Sequence, residues 1–176
     1  MTDDVKEKER VVPSSAPGSS KKSISKAKIE VEVIATRDWD KGVDFLLRWE
    51  FPKNVWNSGA MIFAKDDLDR DLEYTLNDQS GLGLAFETSV NDCIWVSDSG
   101  CPTSSGGSDK GQIKDKDRAS PNKLKLKNKN DTTYNLHYAL RFTGSSWTRP
   151  DGTKTFNPPY AYDPEYRNTG GGGSNA

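Results

Sequence analysis

One histidine, His137, and two cysteines, Cys93 and Cys101, are all that this 176-residue chain offers to soft metals or to thiol chemistry. Zinc sites draw about four ligands from Cys and His, so so few residues exclude a zinc module, and two cysteines are too few for a small disulfide-stapled scaffold. Both are expected as free thiols. Long apolar runs are equally absent. No segment approaches the roughly 20 apolar residues of a membrane-crossing helix, and the first 26 positions hold no apolar stretch beyond Val11-Val12 to serve as a secretory signal. The expected location is cytoplasmic.

Catalytic signatures are missing too. There is no Gly-x-Ser-x-Gly elbow and no phosphate-cradling glycine loop, and the glycines of "SSGGSDKG" and "TGGGGS" lead into no helix. His137 stands between Leu136 and Tyr138, on the opposite face of its strand from the apolar stripe, which is the position of a surface histidine. The chain therefore reads as a non-enzyme without a resident cofactor.

What is present is a two-residue period. In "AKIEVEVIAT" Ile29, Val31 and Val33 share one face while Lys28, Glu30 and Glu32 share the other, the pattern of a half-buried strand. "VDFLLRWEF" repeats it with Phe45, Leu47, Trp49 and Phe51, and the intervening "RDWDKG" carries turn residues, so the two runs are expected to pair as an antiparallel hairpin. "GAMIFA", "LEYTL", "LGLAFET", "CIWV" and "KLKLK" continue as short, turn-bounded strands. The strongest core strand is "YNLHYALRF", which aligns Tyr134, Leu136, Tyr138, Leu140 and Phe142. "WTRPDGTKTF" holds a Pro-Asp-Gly turn and predicts a last hairpin. Only Leu68, Leu72 and Leu76 show helical spacing, leaving room for a short helical turn there. Seven to nine short strands make an all-β chain, an antiparallel β-sandwich with a β-barrel as the alternative. The expected division is a disordered arm over 1–26, the sandwich over 27–166 and a flexible glycine-rich tail over 167–176.

Charge is distributed unevenly along the chain. Residues 27–99 carry 7 basic and 15 acidic side chains, residues 100–176 carry 12 basic and 7 acidic. The basic run places Lys123, Lys125, Lys127 and Lys129 around Leu124 and Leu126, on the solvent side of a strand. Such lysines either guard a sheet edge or meet a partner; nucleic acid is disfavoured, because the pI is about 5.9 and no aromatic stacking platform adjoins them. In the acidic half Asp67, Asp69 and Asp71 alternate as calcium-loop ligands do. Leu72 stands where that loop needs glycine and Asp78 where it needs glutamate, so calcium enters only as an optional aid.

Aromatics in turn-rich segments are the remaining binding resource: Trp56, Trp147, Tyr160, Tyr162 and Tyr166. They would either cap the open ends of the core or stack on a lipid, a glycan or a protein. "NPPYAY" suits an edge strand, since proline has no ladder donor. "YALRF" followed by "DPEYRNTGGGG" resembles the endings of small, largely uncharacterised bacterial proteins that finish on an aromatic strand, an Asp-Pro step and a glycine run. That resemblance implies a bacterial source and a native ending rather than an appended linker, and it implies no activity. Two functions follow as expectations: a noncatalytic module that binds a protein partner or itself, and a toxin-like sandwich that binds lipid or carbohydrate through aromatic loops.

Overall fold

A computed structural model describes residues 28–51, 54–57, 61–64, 69–131, 134–163 and 165–169. The first 27 residues and the last seven, where the arm and most of the tail were expected, lie outside the described residues. The first sheet orders β3 (Asn54–Asn57), β2 (Gly42–Phe51), β1 (Lys28–Asp38), β5 (Arg70–Asp78), β9 (Lys123–Asn128) and β8 (Ile113–Ser120). The second is built on β10 (Tyr134–Thr143). Along one edge of β10 run β13 (Tyr160–Tyr162) and β14 (Glu165–Thr169); along the other run β6 (Ala85–Phe86) and β7 (Ile94–Ser97), with β4 (Met61–Ala64) beyond β14. A small hairpin of β11 (Trp147–Thr148) and β12 (Thr155–Phe156) stands apart. Among the described residues the single helical turn, α1, is Val90–Cys93. Among the described residues neither sheet closes on itself, so the fold is an all-β sandwich and not a barrel.

Alternation does what the sequence predicts in the long strands. Ile29, Val31 and Val33 of β1, Leu47 of β2, Leu72 and Tyr74 of β5, and Leu136, Tyr138, Leu140 and Phe142 of β10 all face the core at 2% exposure or less. The sheets meet through rings, with Phe45 stacked on Phe142 at 4.9 Å and Tyr74 tilted against Tyr138 at 6.4 Å.

The "LEYTL" strand forms as expected, and the spacing of four makes no helical turn over 72–76 because Leu72, Tyr74 and Leu76 alternate inward; Leu68 lies outside the described residues. Three expectations need correction. Two pairings, β1 with β5 and β14 with β4, are parallel, since the chain leaves β2 through β3 and β4 before β5 returns to the free edge of β1. The polar stretch before "KLKLK" contains β8, so β9 is an interior strand rather than an edge. The last strand runs through Thr169, past the boundary expected at 166.

Both cysteines are free thiols, Cys93 buried and Cys101 exposed. Burial pushes the Cys93 thiol up to about 11, and its hydrogen goes to the Glu87 and Ser89 carbonyls. Cys101 contacts the Asp163 carboxylate, so the segment after β7 reaches across to the end of β13, and the neighbouring Pro102 is buried. His137 is half-buried, in register with Ser97 on one side and Glu165 on the other.

Candidate functional site

The two charged runs of the sequence meet on the outer face of the first sheet. Because β9 lies antiparallel against β5, Lys125 stands opposite Glu73 and Lys127 opposite Asp71. The Glu73 carboxylate receives Lys123 at 2.8 Å, Lys28 at 3.2 Å and Lys125 at 3.8 Å. Lys127 meets Asp115 and Lys129 meets Asp131 at 2.7 Å. The Lys123 hydrogen bond outweighs partial burial and, with Lys28, holds Glu73 below the usual carboxylate range. All four predicted lysines are thus paired within the chain. Asp71 and Asp69 lie near Lys127, and among the described residues no three His, Cys, Asp or Glu side chains cluster as metal ligands would. Asp67 lies outside the described residues. A depression of about 580 Å³ on this face is lined by Lys28, Glu30, Glu32 and Arg48, whose charges also contact one another.

A different cluster forms at one end of the sandwich, where the β1–β2 turn meets the β11–β12 hairpin. The turn is set by Asp38, whose Oδ1 accepts the backbone N–H of Asp40 at 2.8 Å and of Lys41 at 2.7 Å. Those hydrogen bonds, Lys41 first, hold the Asp38 carboxyl below its ordinary range. Gly42 follows at φ +87°, and a Cβ there would stand 2.7 Å from the Phe156 ring, so glycine serves both the turn and the contact. In the hairpin Asp151 accepts from the N–H and hydroxyl of Thr153 at 2.9 and 2.7 Å, and Arg149 N–H reaches the Lys154 carbonyl at 2.9 Å.

Cations lock the two turns together. Arg149 donates Nε to the Trp39 carbonyl at 2.6 Å and Nη2 to Asp40 at 2.9 Å, and Lys154 donates to the Asp40 carbonyl at 2.7 Å. Lys154 Nζ also sits 4.5 Å from the Phe156 ring centre. Trp147 stacks on Phe156 at 5.2 Å, and Trp39 meets Trp147 edge to face at 6.1 Å. Phe156 is buried, Trp147 half-buried, and Trp39 is 55% exposed, the one large apolar side chain so exposed among the described residues. The result is a stack of rings stepping from the core to solvent, with its outermost indole carried on a turn whose Trp39 and Asp40 carbonyls accept from Arg149 and Lys154.

Of the aromatic residues expected at a binding surface, Trp147 alone joins this rim. Tyr160 is buried, its hydroxyl donating to the Ser145 carbonyl at 2.9 Å, and Tyr162 packs half-buried against Phe45 at 5.8 Å; both are corrected from exposed contacts to core supports. Trp56 lies in β3 opposite Trp49, at the far end of β2 from the rim; its side chain and that of Tyr166 lie outside what is described. Trp39 is the residue that sequence reasoning missed. A tryptophan between Asp38 and Asp40 inside a hairpin turn has no inward face to occupy, and that was the available signal. No protein-family model matches the chain and no curated protein matches its sequence, so function is argued from this geometry.

Proposed function

We propose that this protein is a noncatalytic β-sandwich binding module that takes a carbohydrate at the Trp39 rim. The observation that carries the reading is the outward Trp39 indole: Arg149 holds the Trp39 carbonyl and Lys154 the Asp40 carbonyl, so the turn that carries the indole is already in place for a sugar ring to stack on it. The exposed Asp40 carboxylate beside it supplies an acceptor for sugar hydroxyls. A lipid surface fits less well, because membrane-facing loops bury several apolar side chains and this rim exposes one among polar groups. Charge-driven self-association also loses support, since the lysines that would drive it are paired at home.

The test is a titration of the protein with a panel of soluble oligosaccharides and, separately, with neutral and anionic vesicles, followed by tryptophan fluorescence and repeated with Trp39→Ala. Saccharide binding that Trp39→Ala abolishes supports the proposal. Vesicle binding without saccharide binding would assign the rim to lipid, and a salt-dependent dimer in sedimentation with neither ligand bound would return the protein to the self-associating class.

A further inference from the structure

Three cations border the rim besides Lys41, and two of them are committed. Arg149 is held by the Trp39 carbonyl and Asp40, and Lys154 by the Asp40 carbonyl, while Lys41 pairs with Asp44 at 3.2 Å. Arg37 differs. Its Nε donates to the Ser80 carbonyl at 2.7 Å, which fixes the guanidinium, and among the described residues it has no carboxylate partner. That guanidinium lies 5.9 Å from the centre of the Trp147 ring, as Trp39 lies 6.1 Å from it, so the open fork and the exposed indole flank one shared ring. The nearby acids are already engaged: Asp38 accepts from its own turn and Asp40 pairs with Arg149.

The loop that anchors Arg37 is built to hold it. Burial raises the Asp78 carboxyl, but hydrogen bonds from Ser80, Leu84 and Gly83 outweigh it and keep the group ionised below its usual range. Asp78 thereby folds the 78–84 loop and presents the Ser80 carbonyl to Nε. Gly81, at φ +70°, is the next residue, and a Cβ there would stand 3.6 Å from Arg37 Nη2. A longer side chain would crowd the approach to that donor; glycine leaves it open.

We infer that the rim's ligand is an acidic sugar, a pyranose bearing a carboxylate, with its ring on Trp39 and its carboxylate on the Nη groups of Arg37. A guanidinium fork fixed at Nε offers parallel N–H donors that suit a planar carboxylate, and an indole beside it suits a sugar face. The inference rests on the carbohydrate reading of the same rim. A carboxylate could also come from a phosphatidylserine headgroup, and the experiment separates the two sources.

Calorimetry with trigalacturonate and with its methyl ester, which keeps the rings and removes the charge, tests it directly. The acid is expected to bind at least tenfold tighter than the ester. Arg37→Gln should lower the acid to the affinity of the ester, Trp39→Ala should weaken both, and Arg37→Lys should recover part of the difference. Gly81→Asn keeps a residue type tolerant of positive φ but sets a side chain over Nη2; it should weaken the acid selectively while thermal unfolding stays close to wild type. Equal affinity for acid and ester, both lost in Trp39→Ala, would overturn the acidic-sugar inference and leave the carbohydrate reading standing. Failure of wild type to bind either ligand would overturn the acidic-sugar inference, and failure across the whole oligosaccharide panel as well would remove the carbohydrate reading with it. Binding confined to phosphatidylserine vesicles, and lost in Arg37→Gln, would overturn the sugar and assign the fork to a lipid headgroup.

Discussion

The outer face of the first sheet and the rim are both assembled from residues far apart in sequence, and they use charge in opposite ways. On the sheet face Lys123 and Lys125 meet Glu73 of β5, Lys127 meets Asp115 of β8 and Lys129 meets Asp131, so each of the four lysines ends on a carboxylate. At the rim Arg149 and Lys154 reach across to backbone carbonyls of the β1–β2 turn, and the product is a fixed backbone carrying an exposed indole. A basic run that looks like a partner surface in the sequence is satisfied within the fold. At the rim the charges of residues 37–41 are mostly taken up by backbone groups and by neighbouring charges, yet a ring and the Arg37 guanidinium are left facing outward. Charge density is thus a poor guide to a binding site, and unspent valence is a better one.

The comparison breaks most severely where the rim joins the core. Phe156 carries Trp147 on its face, fills the space left by Gly42 and is buried. Phe156→Ala should cost about 3 to 5 kcal/mol, because it opens a cavity and also unseats the ring stack. Leu124→Ala, beneath the lysine-bearing face, removes a fully buried side chain and should cost about 2 to 5 kcal/mol without touching the rim. Chemical denaturation gives both values; near-ultraviolet dichroism should lose its tryptophan signal in the folded Phe156 variant only.

Gly42→Ala comes next. The new methyl would sit 2.7 Å from a Phe156 ring carbon at a backbone φ of +87°, so strain and overlap act together. About 1 to 3 kcal/mol is expected, and a value within 0.5 kcal/mol of zero, about the scatter of surface substitutions, would show that the turn shifts freely and that the rim is not held in place.

On the sheet face Glu73→Gln removes the carboxylate shared by three lysines. Its side chain is 12% exposed, but Lys123 and Lys125 are 37% and 48% exposed, so solvent screening limits the loss to about 1 kcal/mol. The pH dependence has a definite sign. Hydrogen bonding from Lys123, then from Lys28, lowers the folded pKa beneath the ordinary 4.5, so the stabilisation is present above 4.5 and disappears as pH falls through the folded value. The gap between wild type and variant should therefore hold from about pH 7 down to about 4.5, close as the pH falls further, and shrink in high salt. A gap that persists at low pH would mean that Glu73 acts through packing.

How much of this was legible beforehand follows from where each residue's partner lies. The β1–β2 hairpin, β10 and the Pro-Asp-Gly hairpin carry their determinants locally, as alternation and turn residues, and they were readable. β8, "IKDKDRAS", was not. It is the outer strand of its sheet, its register slips at Lys114/Asp117 and again at Asp117/Ser120, and Asp115 adopts φ +50°, so no apolar alternation survives to mark it. Missing β8 made β9 look like an edge and its lysines look unpaired. Both charge runs were visible, but their cancellation depends on β5 and β9 being neighbours, a matter of strand order that local pattern does not encode. Trp147 was readable as an aromatic in a turn. Its junction with Trp39 and Arg37 was not, because the contact between Trp39 and Arg149 spans 110 residues.

The smallest effect on stability is expected at the residue with the largest proposed role in binding. Trp39 is 55% exposed, and the hydrogen bond that ties it to Arg149 uses its backbone carbonyl, which alanine retains. Truncation removes one edge-to-face contact with Trp147, a type worth about 0.5 to 1.5 kcal/mol when buried and less at this exposure. Trp39→Ala should therefore destabilise by no more than about 0.5 kcal/mol, the range of surface substitutions. Denaturant midpoints of the two proteins at the same slope provide the measurement. A loss of several kcal/mol would place Trp39 among the supports of the sandwich, beside Tyr160 and Tyr162, and the contrast between a self-satisfied sheet face and an outward-facing rim would fail at its most exposed residue.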